Sequence, residues 1–112
     1  MQVNDYQNSA LRFINTALSD DEQLLNAFLG LSGEAGEAAD LLKKILFQGH
    51  QDESGEHMLR ELGDVAWYLS LAAHVCGYSL EEVFEKNIEK LSARYPNGFT
   101  VEKSVGRSEE DL

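Results

Sequence analysis

Two acidic pairs have the residue types and the spacing that a metal site requires. Glu34 and Glu37 are three residues apart, and so are Glu61 and Asp64. Both pairs lie in stretches of helical periodicity, so each projects from one side of its helix. Residues 38–60 are enough chain to finish one helix, turn and start a second helix running back beside it. We therefore expect the four carboxylates to converge, and they would repel one another unless a hard cation such as Mg²⁺ lay among them.

The surroundings of the first pair favour a site over an ordinary solvated face. Glutamates at i and i+3 are common on helix surfaces, where lysines usually accompany them. Glu34 and Glu37 instead lie among glycine and alanine. Ala27 and Gly30, one turn away on the same edge of the helix, are small enough to leave room for a ligand. The pattern alone leaves both interpretations open.

The elements that must position these residues are predicted to be all helical, with no strand. Ser19 to Glu22 supply the capping chemistry that opens the second helix, and Gly49 is expected to end it. The fourth helix opens at a capping sequence beginning at Ser79, and the turn at Pro96 closes it. The predicted helices cover residues 4–18, 21–48, 56–76 and 79–95.

These helices predict an all-α bundle of four to five helices, with the second and third antiparallel at its centre. The helical domain covers residues 1–99, and residues 100–112 are expected to form a flexible or partner-ordered tail. The apolar face of the second helix is too broad for one short subunit to cover, which predicts a homodimer or a dimer of dimers.

The predicted third and fourth helices carry further polar residues beside their apolar faces. Tyr68 lies on the same edge of the third helix as Glu61 and Asp64. On the fourth helix, the residues at i, i+3 and i+7 are Asn87, Lys90 and Arg94, which form a largely basic edge.

The ordered set of motifs resembles the MazG-like nucleotide pyrophosphohydrolases, an all-helical family within the dimeric dUTPase superfamily. The resemblance rests on the segment from Gly33 to Asp40, on Glu61 to Val65, and on the closing segment from Asn87 to Phe99. The family signature is E-x-x-E, a spacer and E-x-x-D, and the 23 residues from 38 to 60 fit that spacer. One such motif is weak evidence, whereas the ordered set is specific.

The resemblance implies hydrolysis of nucleoside triphosphates, in particular deoxynucleoside triphosphates, to the monophosphate and pyrophosphate. Glu34, Glu37, Glu61 and Asp64 would hold Mg²⁺, with Mn²⁺ as a possible substitute, and Glu34 or Glu37 would be the catalytic base. The other expected substrate contacts are Lys90 and Arg94 at the phosphates, Asn87 at a phosphate, the sugar or a metal-bound water, and Tyr68 at the sugar or base.

Two alternatives to this function remain. A related helical enzyme acts on phosphoribosyl-ATP in histidine biosynthesis and would use the same metal chemistry. From a different class, the chain could be a noncatalytic helical module that binds cations or partners.

Composition limits the partners and the compartment. Nine basic residues against twenty acidic ones give a net charge of −11, which disfavours nucleic acid and anionic membranes as partners. Neither a signal sequence nor a membrane-spanning run is apparent. The single cysteine, Cys76, follows apolar helix positions and is expected to be a core thiol, so the protein is expected to be cytoplasmic.

Overall fold

The computed structural model describes residues 1–112 and confirms the all-α class. The five helices are α1 (Val3–Ala10), α2 (Asp20–Phe47), α3 (Glu56–Val75), α4 (Leu80–Arg94) and α5 (Val101–Val105). The chain divides into an N-terminal unit, Met1–Leu80, and a C-terminal unit, Glu81–Leu112. None of the helices combines the length and the apolarity needed to cross a membrane.

Helix α2 begins and ends close to where the sequence predicts. The Ser19 hydroxyl accepts a hydrogen bond from the Glu22 amide at 3.2 Å, and the Glu22 carboxylate accepts one from the Ser19 amide at 3.0 Å. This reciprocal capping box satisfies two donors at the helix start. At the other end Gly49 adopts a φ of 73°, and the His50 amide donates to the Lys44 carbonyl. A residue with positive φ is what lets the chain leave the helix there.

The first predicted helix is too long. Instead of reaching residue 18, α1 ends at Ala10 and a short 3₁₀ turn follows at Leu11–Phe13. The reason lies at Asn15, whose side-chain carbonyl accepts a hydrogen bond from the Ala17 amide at 3.1 Å. An Asn side chain that bonds the backbone two residues ahead competes with helix formation.

Asp52 defines the start of α3. One of its carboxylate oxygens accepts from the His57 amide at 3.0 Å and the other from the Met58 amide at 2.9 Å. The hydrogen bond from Met58 is the main cause of a lowered pKa for Asp52, and the bond from His57 adds to it. This charged cap lies in the connection between α2 and α3 and helps to set where the site residues of α3 begin.

Helices α2 and α3 run antiparallel, as predicted. Gly30 in the first half of α2 faces Tyr68 in the second half of α3. Glu34, further along α2, faces Glu61 and Asp64, which precede Tyr68 in α3. Early positions of one helix thus oppose late positions of the other. Most contacts between elements in the N-terminal unit are made by this pair.

The small residues at the centre of α2 do not leave room for a ligand, contrary to expectation. Ala27 is completely buried in a core cluster with Leu71 and Ala72. The ring of Tyr68 lies so close to Gly30 that a Cβ atom there would overlap it. In a close-packed helix pair, the ring from the opposite helix fills the space that a missing side chain provides.

The polar side chains of Gln7 and Trp67 fix α1 against α3 and against the start of α4. The side-chain nitrogen of Gln7 donates to the Ser70 carbonyl at 3.2 Å, and its side-chain oxygen accepts from the Leu80 backbone amide at 2.9 Å. The indole of Trp67 donates to the Ala10 carbonyl at 2.9 Å. Because these groups are partly or fully buried, each bond satisfies a polar atom that would otherwise be costly to bury.

Cys76 is exposed, so its prediction as a core thiol is wrong. It is the residue that caps the C-terminal end of α3, directly after the last apolar turn. The periodicity that buries Ala72 and Ala73 does not extend past the end of the helix.

The C-terminal unit contains α5 within the segment that was expected to be a flexible tail. Thr100 caps α5, its hydroxyl accepting a hydrogen bond from the Lys103 amide at 3.1 Å. The boundary between a domain ending at residue 99 and a tail of 100–112 stays a prediction.

Candidate metal centre and substrate pocket

Three carboxylates from the two central helices meet in the N-terminal unit. Glu34 of α2 and Glu61 and Asp64 of α3 each offer an oxygen, and these three oxygens lie within 4.8 Å of one another. The antiparallel pairing produces this arrangement, because it sets the middle of α2 beside the first half of α3. The predicted convergence of acids is therefore present for three of the four residues.

Two of these carboxylates have oxygens that the protein leaves without a partner. Oε2 of Glu34 and Oε2 of Glu61 are buried and accept no hydrogen bond. The Glu61 side chain is only 16% exposed. Buried carboxylate oxygens are normally paired, and an unpaired charge is expensive to bury. An all-oxygen donor set with unfilled acceptor capacity fits a hard divalent cation.

The electrostatics of Glu34 agree with such a site. Burial raises the pKa of Glu34, and the negative charges of Glu37, Asp64 and Glu61 raise it further, as does a hydrogen bond to Glu37. Tyr6 of α1 lies in the same field, since burial and then the charge of Asp64 raise the pKa of its phenol. The cluster therefore concentrates negative charge that a cation would neutralise.

Glu37 is not one of the three carboxylates that lie within 4.8 Å of one another, although it neighbours Glu34 and raises its pKa. It is exposed, and together with Glu61 it lines a pocket of about 430 Å³. That volume falls in the range of about 300–1,000 Å³ that small-molecule sites occupy. Glu61 thus belongs to both the cluster and the pocket, and Glu37 faces the pocket beside it.

The same pocket carries basic side chains. Lys44 lines it and pairs with Asp40, the Nζ and Oδ2 atoms being 2.8 Å apart. Hydrogen bonds from Lys44 and Lys43 lower the pKa of Asp40 to about 2, and the bond to Asp40 in turn raises the pKa of Lys44. His57, also in the lining, has its Nε2 atom 3.2 Å from Oε1 of Glu61. Lys44 and the imidazole of His57 could meet the negative charge of a phosphate group.

The other predicted substrate residues have the following positions. The Tyr68 ring packs against Gly30 and makes an edge-to-face contact with Trp67, the ring centroids being 4.8 Å apart. Asn87, Lys90 and Arg94 lie on α4 in the C-terminal unit, where Asn87 and Lys90 are exposed and Arg94 is partly buried. A role in substrate binding stays a prediction for these four.

Sequence reasoning missed part of this site. Tyr6 has the spacing of an ordinary apolar position of α1, and nothing in the local sequence indicates that its phenol lies near Asp64. His50 and Gln51 line the pocket but come from the irregular connection, where no periodicity indicates where a side chain points. Gly49 and Gly55, which both adopt a positive φ, are the local signals that the chain folds back here.

Comparisons with known proteins agree with this geometry. Residues 22–99 match the family model of the MazG nucleotide pyrophosphohydrolase domain. The chain is also 38% identical over 80 residues to the Gene 37 protein of Mycobacterium phage L5, an alignment that covers 69% of this chain and 70% of the phage protein. No solved structure matches the chain significantly.

Proposed function

The chain belongs to the MazG nucleotide pyrophosphohydrolase family, and on that premise we propose that it hydrolyses nucleoside triphosphates to the monophosphate and pyrophosphate with the help of Mg²⁺. The observation that carries the proposal is the pair of buried, unpartnered oxygens on Glu34 and Glu61, with Asp64 close by. A site of this kind is costly to maintain unless a cation fills it.

In the proposed mechanism, Glu34, Glu61 and Asp64 hold the divalent ion. Mg²⁺ bound there, or Mn²⁺ in its place, would neutralise phosphate charge and lower the pKa of the attacking water. These three carboxylates come from two packed helices, so their positions are fixed before substrate arrives. Such preorganisation is the main contribution a protein makes to phosphoryl transfer.

Glu37 is the best-placed general base of the first acidic pair. It is exposed and lines the pocket, and it lies next to Glu34 without being one of the three clustered carboxylates, so it can accept a proton from a water in the pocket. Glu34 has one oxygen buried in the cluster and suits the ligand role better. In this assignment Glu37 takes the proton from water as the bond between the α and β phosphates breaks, and pyrophosphate leaves.

The pocket itself would bind part of the nucleotide. Lys44 stays cationic because Asp40 supports its charge, and His57 lies at the boundary between the pocket and the carboxylate cluster. Both would contact phosphate oxygens. Further phosphate contacts are expected from Lys90 and Arg94, with Asn87 at a phosphate, the sugar or a metal-bound water and Tyr68 near the sugar or base.

The test is product analysis with a panel of nucleoside triphosphates and Mg²⁺, followed by ³¹P NMR. We expect monophosphate and pyrophosphate from the wild type and none from Asp64→Asn. Glu53→Gln, an exposed charge-matched control in the connection, should keep full activity. Diphosphate with inorganic phosphate as the products would overturn the proposal, as would activity that survives both Asp64→Asn and a chelator.

We also propose that two copies of the chain associate through the outer face of α2. Leu25 and Leu29 lie on the side of that helix opposite the buried Ala27 and Leu41, and they are 60% and 70% exposed. Exposed leucines one turn apart, on a helix that also exposes Phe28 and Leu46, are typical of an interface. Light scattering should give a dimer or tetramer that Leu29→Glu converts to monomer. A monomeric wild type would contradict this.

A further inference from the structure

The C-terminal unit gathers positive charge in a strongly acidic chain. Four of the nine lysines and arginines line a single pocket of about 590 Å³ within residues 81–112. They are Lys90 and Arg94 of α4, Lys103 of α5 and Arg107 beyond it. The lining also contains Glu110 and Asp111, so four cations face two carboxylates in a chain whose net charge is −11. A concave basic site of this kind attracts anions.

Arg94, the most buried cation of that pocket, is already paired with the carboxylate of Asp111. Arg94 donates from Nε to Oδ2 of Asp111 and from Nη2 to Oδ1, both at 2.7 Å. The two side chains are only 9% and 15% exposed. This two-pronged pairing is the geometry that an arginine also uses to bind a phosphate group. Asp111 therefore presents its two oxygens where a phosphate would place its own.

The field around Asp111 comes from the whole basic pocket. Hydrogen bonds from Arg94 are the main cause of a lowered pKa for Asp111, and the positive charges of Arg94, Arg107 and Lys90 add to it. The same hydrogen bonds raise the pKa of Arg94. Three of the four cations thus act on one carboxylate, as they would on a bound anion.

Little apolar burial holds the tail in this position. Val105 and Leu112 are 82% and 87% exposed, and Val101 is 65% exposed. Hydrogen bonds of Tyr95 with Ser104 and Arg107 hold the tail as far as residue 107. The segment after Arg107 is anchored mainly by the Arg94–Asp111 ion pair, so it can open at low cost because few buried apolar contacts are lost.

We propose that the C-terminal tail regulates this pocket, with Asp111 as an internal competitor of phosphate-bearing anions. Lys90 and Arg94 already have an expected role at phosphate, Lys103 and Arg107 extend the site, and the tail must release Arg94 before an anion can bind there. If the ligand is the triphosphate of a substrate, the tail also restrains turnover, and only that consequence rests on the proposed function.

The test is isothermal titration calorimetry with inorganic pyrophosphate in buffer that contains a chelator, so that the carboxylate cluster takes no part through a metal ion. Asp111→Asn should bind pyrophosphate about tenfold more tightly than the wild type, since a charged competitor is removed. Glu109→Gln, which changes the same charge in the same tail but does not line the pocket, should leave the affinity unchanged.

A second pair of variants tests the cations. Lys103→Gln should weaken pyrophosphate binding several-fold, whereas Lys86→Gln, whose lysine is outside the pocket and pairs with Glu89, should not. Circular dichroism verifies that each variant is folded. If Asp111→Asn fails to fold, a chain ending at Arg107 replaces it, with the same tighter binding expected.

The proposal is overturned if Asp111→Asn binds pyrophosphate no more tightly than Glu109→Gln, or if no folded form binds pyrophosphate at all. These outcomes do not depend on catalysis. A variant that binds pyrophosphate more tightly in a protein that hydrolyses no nucleotide would leave this inference standing and overturn only the proposed function.

Discussion

Glu34 and Glu61 stand on facing helices, and each buries a carboxylate oxygen that no donor of the protein reaches. Folding without a cation leaves both oxygens unsatisfied, which costs stability. Neither residue is in contact with a lysine or an arginine, although His57 approaches the other oxygen of Glu61. These two oxygens are therefore the acceptors that the proposed cation would satisfy.

A divalent cation should stabilise the fold through these residues. At about 100 times its Kd, a bound ion adds about 2.7 kcal/mol to the free energy of unfolding. For a chain of this size that is a rise in Tm of about 10 °C or more. Thermal unfolding with and without Mg²⁺ should show this rise in the wild type and in Glu53→Gln, but not in Glu61→Gln. Equal rises in all three would mean that the ion binds elsewhere.

Variants of Glu37 and Asp64 should differ in their effects when Mg²⁺ binding and turnover are both measured. Glu37→Gln should lower turnover by about 10²- to 10⁴-fold, the usual contribution of a general base, while the rise in Tm with Mg²⁺ persists. Asp64→Asn should lose both the turnover and the rise in Tm with Mg²⁺. If Glu37→Gln also abolished the Tm response, Glu37 would be a ligand rather than the base.

The contact between Gly30 and Tyr68 should make Gly30 intolerant of a side chain. Gly30→Ala places a Cβ against the ring, and overpacking of this kind costs about 1–3 kcal/mol. Gly33→Ala in the same helix meets open space and should be stabilising by about 0.5–1 kcal/mol, the usual gain in a helix interior. Urea unfolding of the two variants measures the difference. Destabilisation of both, or of neither, would contradict the packing described.

Asp40 should stabilise the protein at neutral pH and lose that effect in acid. Its pKa in the folded protein is about 2, below the ordinary 3.8, because Lys44 and Lys43 donate to it. A depressed pKa stabilises the fold above 3.8, and the contribution disappears as the pH falls through about 2. The Tm of the wild type should exceed that of Asp40→Asn near neutral pH, and the difference should shrink across that interval. A difference that is constant with pH would show that the ion pair contributes nothing.

The sequence was sufficient to predict the elements whose signals are local. The capping box at Ser19 and Glu22 and the glycine at position 49 mark the ends of α2, and both act through neighbouring backbone atoms. The two acidic pairs could be placed on facing helices because helical spacing and one short connection determine their relative position. That is why three of the four carboxylates meet as predicted.

What the sequence did not reveal depends on contacts between distant segments. The end of α1 depends on the hydrogen bond that the Asn15 side chain accepts from the Ala17 amide. The packing of Gly30 depends on the ring of Tyr68, 38 positions away. The pairing of Arg94 with Asp111 joins a helix to a segment without periodicity. Local sequence pattern carries no information about this pairing, because Asp111 looks like an ordinary surface charge and nothing marks it as the partner of Arg94.

Diffraction at the manganese absorption edge from crystals grown with Mn²⁺ tests the central claim most directly. We expect an anomalous peak among the carboxylates of Glu34, Glu61 and Asp64, within coordination distance of all three, and no such peak in crystals of Asp64→Asn. A map with no peak there, or a peak bound by other residues while these oxygens bond to water, would contradict the proposed metal centre.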